Sequence, residues 1–315
     1  MSTTSAPGLS APSERGLFRL SSSQHREIRK FLEALLYLSP ALIIFTIFVF
    51  IPLLRSIRLS LYLTNPIGVP TVFAGLKNYQ RLLESPAFLI SLQRSVLFVL
   101  YTVPTTLGVS IILASLGNLR LKRIDFFRMI FSCTIAVSGA TAALIFKYLY
   151  HPALGQLNYI LSLFGIEPVP WLISDQTALF AVALTTMWLW LGLNTVILLA
   201  GMQGISEELY ESAMIDGANA WTKFRRITIP LLSPTLFFLL IVDVLAAFQT
   251  FTQISVMTSG GPMDSTNVIV YSIYREFYFN GKYGFAAAQS IILFLIILGL
   301  TIIQFGVVER KVHYE

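Results

Sequence analysis

Long runs of apolar residues without charge alternate with short polar segments along this chain. A helix needs about 20 such residues to cross the hydrocarbon core of a bilayer. Six runs approach or exceed that length, and they are bounded by Glu33 and Arg55, Arg94 and Arg120, Arg128 and Lys147, Asp175 and Glu207, Leu231 and Met257, and Lys282 and Glu309. Only Asp243 places a charge inside a run. The pattern predicts an all-α integral membrane protein with six transmembrane helices.

A further uncharged segment lies between Lys147 and Glu167, but it is a poor candidate for a seventh span. Its first half contains His151, Pro152 and Gly155 together with amide side chains, which disfavour a helix in lipid. We predict an external segment there, with a short amphipathic helix over residues 158–164.

Composition agrees with a membrane protein, because 55% of the 315 residues are hydrophobic, 12% are charged and the mean hydropathy is +0.73. Soluble domains carry about 25% charged residues. The net charge of +6 could indicate a nucleic-acid partner, but the basic residues flank apolar runs instead of forming one stripe. We predict no nucleic-acid partner, and membrane lipid as the surroundings.

The basic residues also predict orientation, since Lys and Arg accumulate on the cytoplasmic side. They concentrate before the first span and in the second, fourth and last polar segments, which places both termini in the cytoplasm. The segment after the first span is the exception, because it carries Arg55, Arg58, Lys77 and Arg81. We divide the chain into a disordered cytoplasmic tail, residues 1–30, and a six-span transmembrane domain, residues 31–315.

Residue groupings typical of catalysis or metal binding do not occur. His25, His151 and His313 are far apart, and Cys133 lies in an apolar run where a small packing residue is expected. These 315 residues contain no G-x-x-x-x-G-K-[ST] phosphate loop, so any ATP must be hydrolysed by another chain. We predict that the chain is not an enzyme and holds no metal or cofactor of its own.

One polar segment, residues 204–234, has a clear helical design. Ser206 is placed to cap a helix whose first turn holds two glutamates, and Gly217 is placed to end it in a left-handed conformation. A second, basic helix is predicted to begin near Ala220. Small residues around the turn suit insertion into a partner's cleft, although an ordinary solvated loop would also fit.

The spacing in this segment resembles the EAA loop of ATP-binding-cassette (ABC) importer permeases. That motif reads EAA, three residues, G, nine residues, I, one residue, LP, and this chain matches every spacing with Glu211-Ser212-Ala213, Gly217 and Ile227-Thr228-Ile229-Pro230. Ser212 replaces an alanine and Ile229 a leucine, both close in size. We call residues 204–234 the EAA-like loop.

Other marks resemble the carbohydrate-uptake branch of these permeases, whose members include maltose-type and glycerol-3-phosphate-type subunits. They are Thr258-Ser259-Gly260-Gly261-Pro262, Tyr283-Gly284, Ala286-Ala287-Ala288 and Val308-Glu309-Arg310-Lys311-Val312.

The resemblance implies a MetI-like permease fold in a bacterial or archaeal cytoplasmic membrane. It also implies a second homologous permease subunit, two ATPase subunits that bind ATP and Mg, and an extracytoplasmic solute-binding protein. The implied cargo is a sugar or related polyol, with glycerol-3-phosphate or another solute as the alternative. The implied contacts with the ATPase are Glu211, Ser212, Ala213, Asp216, Gly217, Ile227 and Pro230.

Polar residues at membrane depth are candidates for the solute pathway. Asp243 is costly in lipid, and on a continuous helix Ala246, Thr250, Gln253 and Met257 would share its face. Two interpretations stay open: Asp243 is paired with another helix or protonated, or it contacts solute. Trp188 could stack on a sugar ring or pack between helices. Residues 138–143 indicate a close helix-packing surface.

The charges leave the solute class open. A charged Asp243 would repel an anionic solute, whereas Arg94 and Lys147 could attract one. Arg275 and Glu276 are interpreted as solvated charges or contacts to the binding protein. A secondary transporter is the alternative class, although no repeat relates residues 33–148 to 176–308.

Overall fold

The computed structural model describes residues 22–119 and 121–308. The chain divides into two units, residues 1–55 and 56–315. In the first unit, helix α1 (Ser22–Phe45) continues through a π-helical stretch, Thr46–Phe50, into α2 (Ile51–Ser60), which contains the boundary between the units. Helix α1 therefore begins within residues 1–30, the segment expected to be a tail. Most of the expected tail, residues 1–21, lies outside the described residues. The C-terminal residues 309–315 also lie outside them.

A β-hairpin follows α2, which corrects the all-α expectation. Strand β1 (Tyr62–Thr64) pairs antiparallel with β2 (Pro70–Phe73). The connection is built on Asn65, whose Oδ1 accepts hydrogen bonds from the backbone N–H groups of Ile67 and Val69. Gly68 adopts a φ of 82°, which few other residues tolerate. Helix α3 (Lys77–Glu84) comes next.

Two long helices, α4 (Pro86–Gly117) and α8 (Ala178–Gln203), pack against each other. The helix that contains the predicted second span begins before Arg94. The helix begins at Pro86, which suits the first helical position, and the Ser85 side chain accepts a hydrogen bond from the Phe88 N–H. Half-buried Arg94 therefore lies inside the helix, which a long side chain allows.

The predicted third span is not one helix. Helix α5 (Ile124–Ser132) passes through a 3-10 turn, Cys133–Ala136, and meets α6 (Gly139–Leu149) at an angle of 105°. The bend occurs because Ser138 has an extended backbone and its side chain caps α6 by accepting from the Thr141 N–H. Counting charges cannot detect such a cap.

The region of the predicted fifth span is broken twice. Helices α9 (Glu207–Ile215) and α10 (Ala220–Lys223) precede a π-helical turn (Phe224–Thr228), α11 (Ile229–Leu231), α12 (Ser233–Phe248) and α13 (Thr252–Met257). The segments on either side of Leu232 meet at 66°. The continuous helix expected from Leu231 to Met257 is therefore wrong. Helix α12 ends before Thr250. There the Thr250 N–H donates to the Ala247 carbonyl, and the Thr250 hydroxyl donates to the Ala246 carbonyl, which competes with helical hydrogen bonding.

Three further helices complete the described fold. They are α7 (Gln156–Leu163), α14 (Ile269–Tyr274) with a π-helical turn Arg275–Phe279, and α15 (Tyr283–Ile303) with a π-helical stretch Gln304–Val308. The short helix expected over 158–164 is thus present, beginning two residues earlier and ending one residue earlier. Among the described residues, four helices are long and apolar enough to cross a membrane, and there are up to six spans if each bent pair counts as one.

Candidate functional site

The EAA-like loop is a helix, a glycine turn and a second helical segment, as predicted. Gly217 has a φ of 75°. The Ala218 N–H donates to the Ala213 carbonyl at 2.9 Å and the Gly217 N–H to that of Met214 at 3.0 Å. This pair of bonds is a Schellman motif, which satisfies the last carbonyls of α9 and requires the left-handed residue at Gly217.

The caps differ from the prediction at one end. Ser206 occupies the cap position of α9, but its side chain makes no capping hydrogen bond. The second helix does begin at Ala220, and its cap is Asn219, whose Oδ1 accepts from the Thr222 N–H at 2.8 Å. The sequence signal was an Asn directly before the helix, a residue type that favours this position.

A side-chain contact joins the two arms of the loop. The hydroxyls of Tyr210, on α9, and Thr228, in the π-helical turn, lie 3.0 Å apart and form a hydrogen bond. Sequence analysis did not identify either residue as functional. The bond fixes the acidic helix α9 relative to the basic π-helical turn, residues 224–228, so the loop has a defined shape.

The outward surface of the loop mixes acidic and apolar side chains. Ile215 is 87% exposed, and Met214 and Trp221 are also exposed. The predicted coupling residues divide into two groups. The first group surrounds the turn and is exposed except for half-buried Ala213; it consists of Glu211, Ser212, Ala213, Asp216 and Gly217. Ile227 and Pro230 are half-buried and lie beyond the turn, on the arm that leads to α12.

The helices on either side of the loop approach closely at its base. A Cβ on Gly201 of α8 would lie 2.8 Å from the Leu232 side chain and 3.0 Å from that of Thr235. The glycine lets the two helices approach this closely, since a Cβ at residue 201 would require the Leu232 side chain to shift.

Asp243 has a partner on a neighbouring helix. It is 3% exposed, and its Oδ2 accepts a hydrogen bond from Asn194 Nδ2 of α8 at 2.6 Å. Of the two interpretations that the sequence left open, the structure thus contains the paired one. Asn194 was not identified as the partner, although an amide inside an apolar span is itself a signal that a partner exists.

The predicted stripe below Asp243 does not lie on one helix face, because α12 ends at Phe248. Thr250 lies in the break and Gln253 on α13, and both are buried. The α13 segment packs against α6, where Lys147 Nζ donates to the Val256 carbonyl at 2.9 Å. Trp188 is half-buried, with its ring 5.2 Å from that of Phe146. The pathway candidates therefore lie on three different helices, α8, α12 and α13, and in the break after α12.

Charges in the segment between α13 and α15 are paired. Arg275 forms an ion pair with Asp264 at 2.6 Å, and Lys282 forms one with Glu276 at 3.3 Å. Arg275 and Glu276 are therefore paired charges, and their contact with the binding protein stays a prediction. The chain reverses at Gly260, whose φ is 82°. A turn is present here, in which the Gly261 N–H donates to the Thr258 carbonyl.

The apolar helices α8 and α12 are thus joined through a polar loop of defined shape. A family model described as "Binding-protein-dependent transport system inner membrane component" matches residues 32–314. The chain belongs to this family, which confirms the resemblance inferred from the EAA-like loop. Members are permease components and not enzymes, and the family decides against the secondary transporter.

Curated relatives cover almost the whole chain. The "sn-glycerol-3-phosphate transport system permease protein UgpA" of Agrobacterium fabrum is 36% identical over 280 residues, which are 89% of this chain and 95% of the relative. The protein of the same name from Rhizobium meliloti is 34% identical over the same shares.

A solved bacterial ABC transporter, involved in the import of the acidic polysaccharide alginate, shares the fold. The TM-score is 0.76 at 22% identity, over 92% of this chain and 99% of that one. At this level of identity the likeness concerns the fold, and the MetI-like permease architecture is thereby supported.

Proposed function

We propose that this chain forms half of the translocation pathway of an ATP-driven ABC importer in a bacterial or archaeal cytoplasmic membrane. The observation that carries the proposal is the EAA-like loop, in which a Schellman-capped acidic helix and exposed Ile215 and Trp221 form a surface for another protein. Its partners are a second homologous permease subunit, two ATPase subunits and an extracytoplasmic solute-binding protein. ATP and Mg bind to the ATPase subunits.

The proposed topology has six spans within residues 31–315, preceded by a cytoplasmic tail, residues 1–30. The support is four long apolar helices and two bent pairs, each counted as one span. A reporter fused after His313 should be active only in its cytoplasmic form, and a cysteine at Ser162 on α7 should react from outside. Labelling of the C-terminus from outside would contradict this arrangement.

The proposed contacts with the ATPase are Glu211, Ser212, Ala213, Asp216 and Gly217 around the turn, with Ile227 and Pro230 on the returning arm. An acidic helix that also exposes Met214 and Ile215 suits a cleft with apolar walls and a basic group, because apolar contact supplies affinity and charge supplies orientation.

The proposed solute is a sugar or a related polyol, with glycerol-3-phosphate as the specific alternative. The relatives at 34–36% identity are named for sn-glycerol-3-phosphate transport, which favours this alternative. Asp243 was the sequence argument against an anion, and that argument weakens because its carboxylate is buried against Asn194. Thr250, Gln253, Trp188 and Asp243 remain proposed pathway residues.

The test of the function is uptake into proteoliposomes that contain the assembled complex, with ATP on the ATPase side and loaded binding protein on the other. Accumulation that requires both ATP and binding protein is expected. Glycerol-3-phosphate, glycerol and a neutral disaccharide, tested separately for raising the Tm of the binding protein, identify the solute. Accumulation without ATP would contradict the proposal.

A further inference from the structure

The EAA-like loop returns to the membrane on a pair of helices that are joined at successive levels. We call residues 194–203 of α8 and 233–243 of α12 the stem. The Tyr210–Thr228 hydrogen bond lies within the loop itself, and the Gly201 crossing lies at the base of the stem. The Asn194–Asp243 hydrogen bond closes the stem at its far end.

The last contact lies deep relative to the loop. Asn194 is nine residues before the end of α8 at Gln203, and Asp243 is ten residues after the start of α12 at Ser233. At a rise of 1.5 Å per residue, both positions lie about 15 Å along their helices from the loop. Because the two helical segments of the stem are nearly equal in length, the Asn194 amide and the Asp243 carboxylate lie at the same level and meet.

This contact resists sliding of the two helices. Both residues are buried, Asn194 at 2% and Asp243 at 3% exposure, and the donor–acceptor distance is 2.6 Å. Displacing one helix by a single residue shifts its side chains by about 1.5 Å, which would break a bond of this length. No bulk water reaches such a site to replace the lost partner, so the stem is held in one register.

Beyond the stem, α12 leads directly to the break that contains Thr250 and to α13, which carries Gln253. Because α12 connects the loop to these residues, a displacement of the loop reaches them along α12. The bond from Asn194 to Asp243 makes α8 move with α12 as one body, so that the two helices do not slide past each other.

We propose that Asn194 and Asp243 are a positioning pair that keeps the stem in register, so that movement of the EAA-like loop by the ATPase reaches the break between α12 and α13. The proposal rests on the proposed function of the loop. It assigns Asp243 a role in coupling ATP hydrolysis to solute movement, through its hydrogen bond with Asn194.

The experiment compares loss of the bond with its reconstruction in the opposite direction. Asp243→Leu and Asn194→Ala remove it. The exchange Asn194→Asp with Asp243→Asn restores an amide and a carboxylate at the same two positions. Thr195→Val is the matched control, because Thr195 is the buried neighbour of Asn194 and its hydroxyl has no hydrogen-bond partner in the described structure.

The readout is the number of solute molecules accumulated per ATP hydrolysed, in proteoliposomes of the assembled complex supplied with loaded binding protein. A pair that only stabilises the fold would lower the yield of complex or its Tm and leave this ratio unchanged. We expect the ratio to fall at least threefold in Asp243→Leu and Asn194→Ala. It should return to within about a factor of 1.5 of wild type in the exchanged pair, and remain at wild type in Thr195→Val.

A wild-type ratio in either disrupted variant would overturn the proposal, as would an exchanged pair that assembles normally yet stays uncoupled. If Asp243→Leu is not recovered as a complex, Asn194→Ala and the exchanged pair decide by the same ratio. Failure of the proposed function is distinguishable, because the wild-type complex would then show no ATP-dependent uptake. In that case the role in coupling fails with it.

Discussion

The α4–α8 pair and the EAA-like loop satisfy their polar groups and use their glycines in opposite ways. Several hydroxyls in the long helices donate to carbonyls of their own helix, as Thr106 does to Thr102 and Thr185 to Ala181, while that of Thr195 has no partner in the described structure. In the loop, Tyr210 instead reaches across to Thr228. Gly192 of α8 is a point of close contact, whereas Gly217 has open space around it and an unusual φ. The difference teaches that the glycine in the long helices serves close packing, whereas the glycine in the loop serves the shape of an exposed surface.

The largest effect is expected from a substitution that changes the shape of the loop and leaves the packing of the helices intact. Gly217→Val places a β-branched side chain at a φ of 75°, which is strained although nothing lies within 4 Å of a Cβ there. We expect at least a tenfold loss of ATP-driven uptake, less co-purified ATPase and an unchanged Tm.

Gly217→Asn is the matched control, because asparagine tolerates the left-handed region. It should keep most of the uptake. Equal uptake by the valine and asparagine variants would show that the turn is not needed for coupling.

Charge reversal on the exposed acidic helix should be nearly as severe. Glu211→Lys is expected to reduce uptake about tenfold, because a basic group in the partner's cleft would then be repelled, while solute binding to the external binding protein stays unchanged. Glu208→Lys, on the same helix outside the motif, should have a much smaller effect. Uptake and co-purified ATPase measure both. Similar losses in the two variants would argue for a general loss of charge rather than a specific contact.

The close contact in the long helices predicts an effect on stability. A Cβ at Gly192 would lie 2.3 Å from Thr134 Oγ1 and 2.5 Å from the Phe131 carbonyl oxygen. Gly192→Ala should therefore cost about 1–3 kcal/mol by overpacking and lower the Tm of the purified complex. Gly108→Ala in α4, where nothing lies within 4 Å, should leave the Tm equal or raise it. A lower Tm in the Gly108 variant alone would reverse this distinction.

The smallest effect concerns the bond between the arms of the loop. Tyr210→Phe removes one hydroxyl and should cost about 0.5–1.5 kcal/mol of local stability. Uptake should fall less than threefold, and hydrogen exchange of α9 should become faster. Tyr159→Phe, at an exposed position of α7, is the control and should change neither. Unchanged exchange in α9 would indicate that the bond does not order the loop.

Local rules predicted much of this molecule, and what they missed comprises two local side-chain hydrogen bonds and one contact between distant residues. Gly217 and the start at Ala220 followed from capping preferences and spacing, which act within a few residues. The bend at Ser138 and the break at Thr250 were missed because each depends on a side-chain hydrogen bond that a count of charge-free residues cannot show. The Asn194–Asp243 pair joins residues 49 positions apart, so it required the helix packing.

The most direct test of the central claim is a photo-crosslinker placed at Ile215, at the tip of the EAA-like loop, in the assembled complex. Ile215 is 87% exposed. We predict a crosslink to the ATPase subunit that disappears when Glu211→Lys is added, and no such crosslink from Phe164, which is exposed just after α7. A crosslink to the ATPase from Phe164 with none from Ile215 would contradict both the topology and the role of the loop.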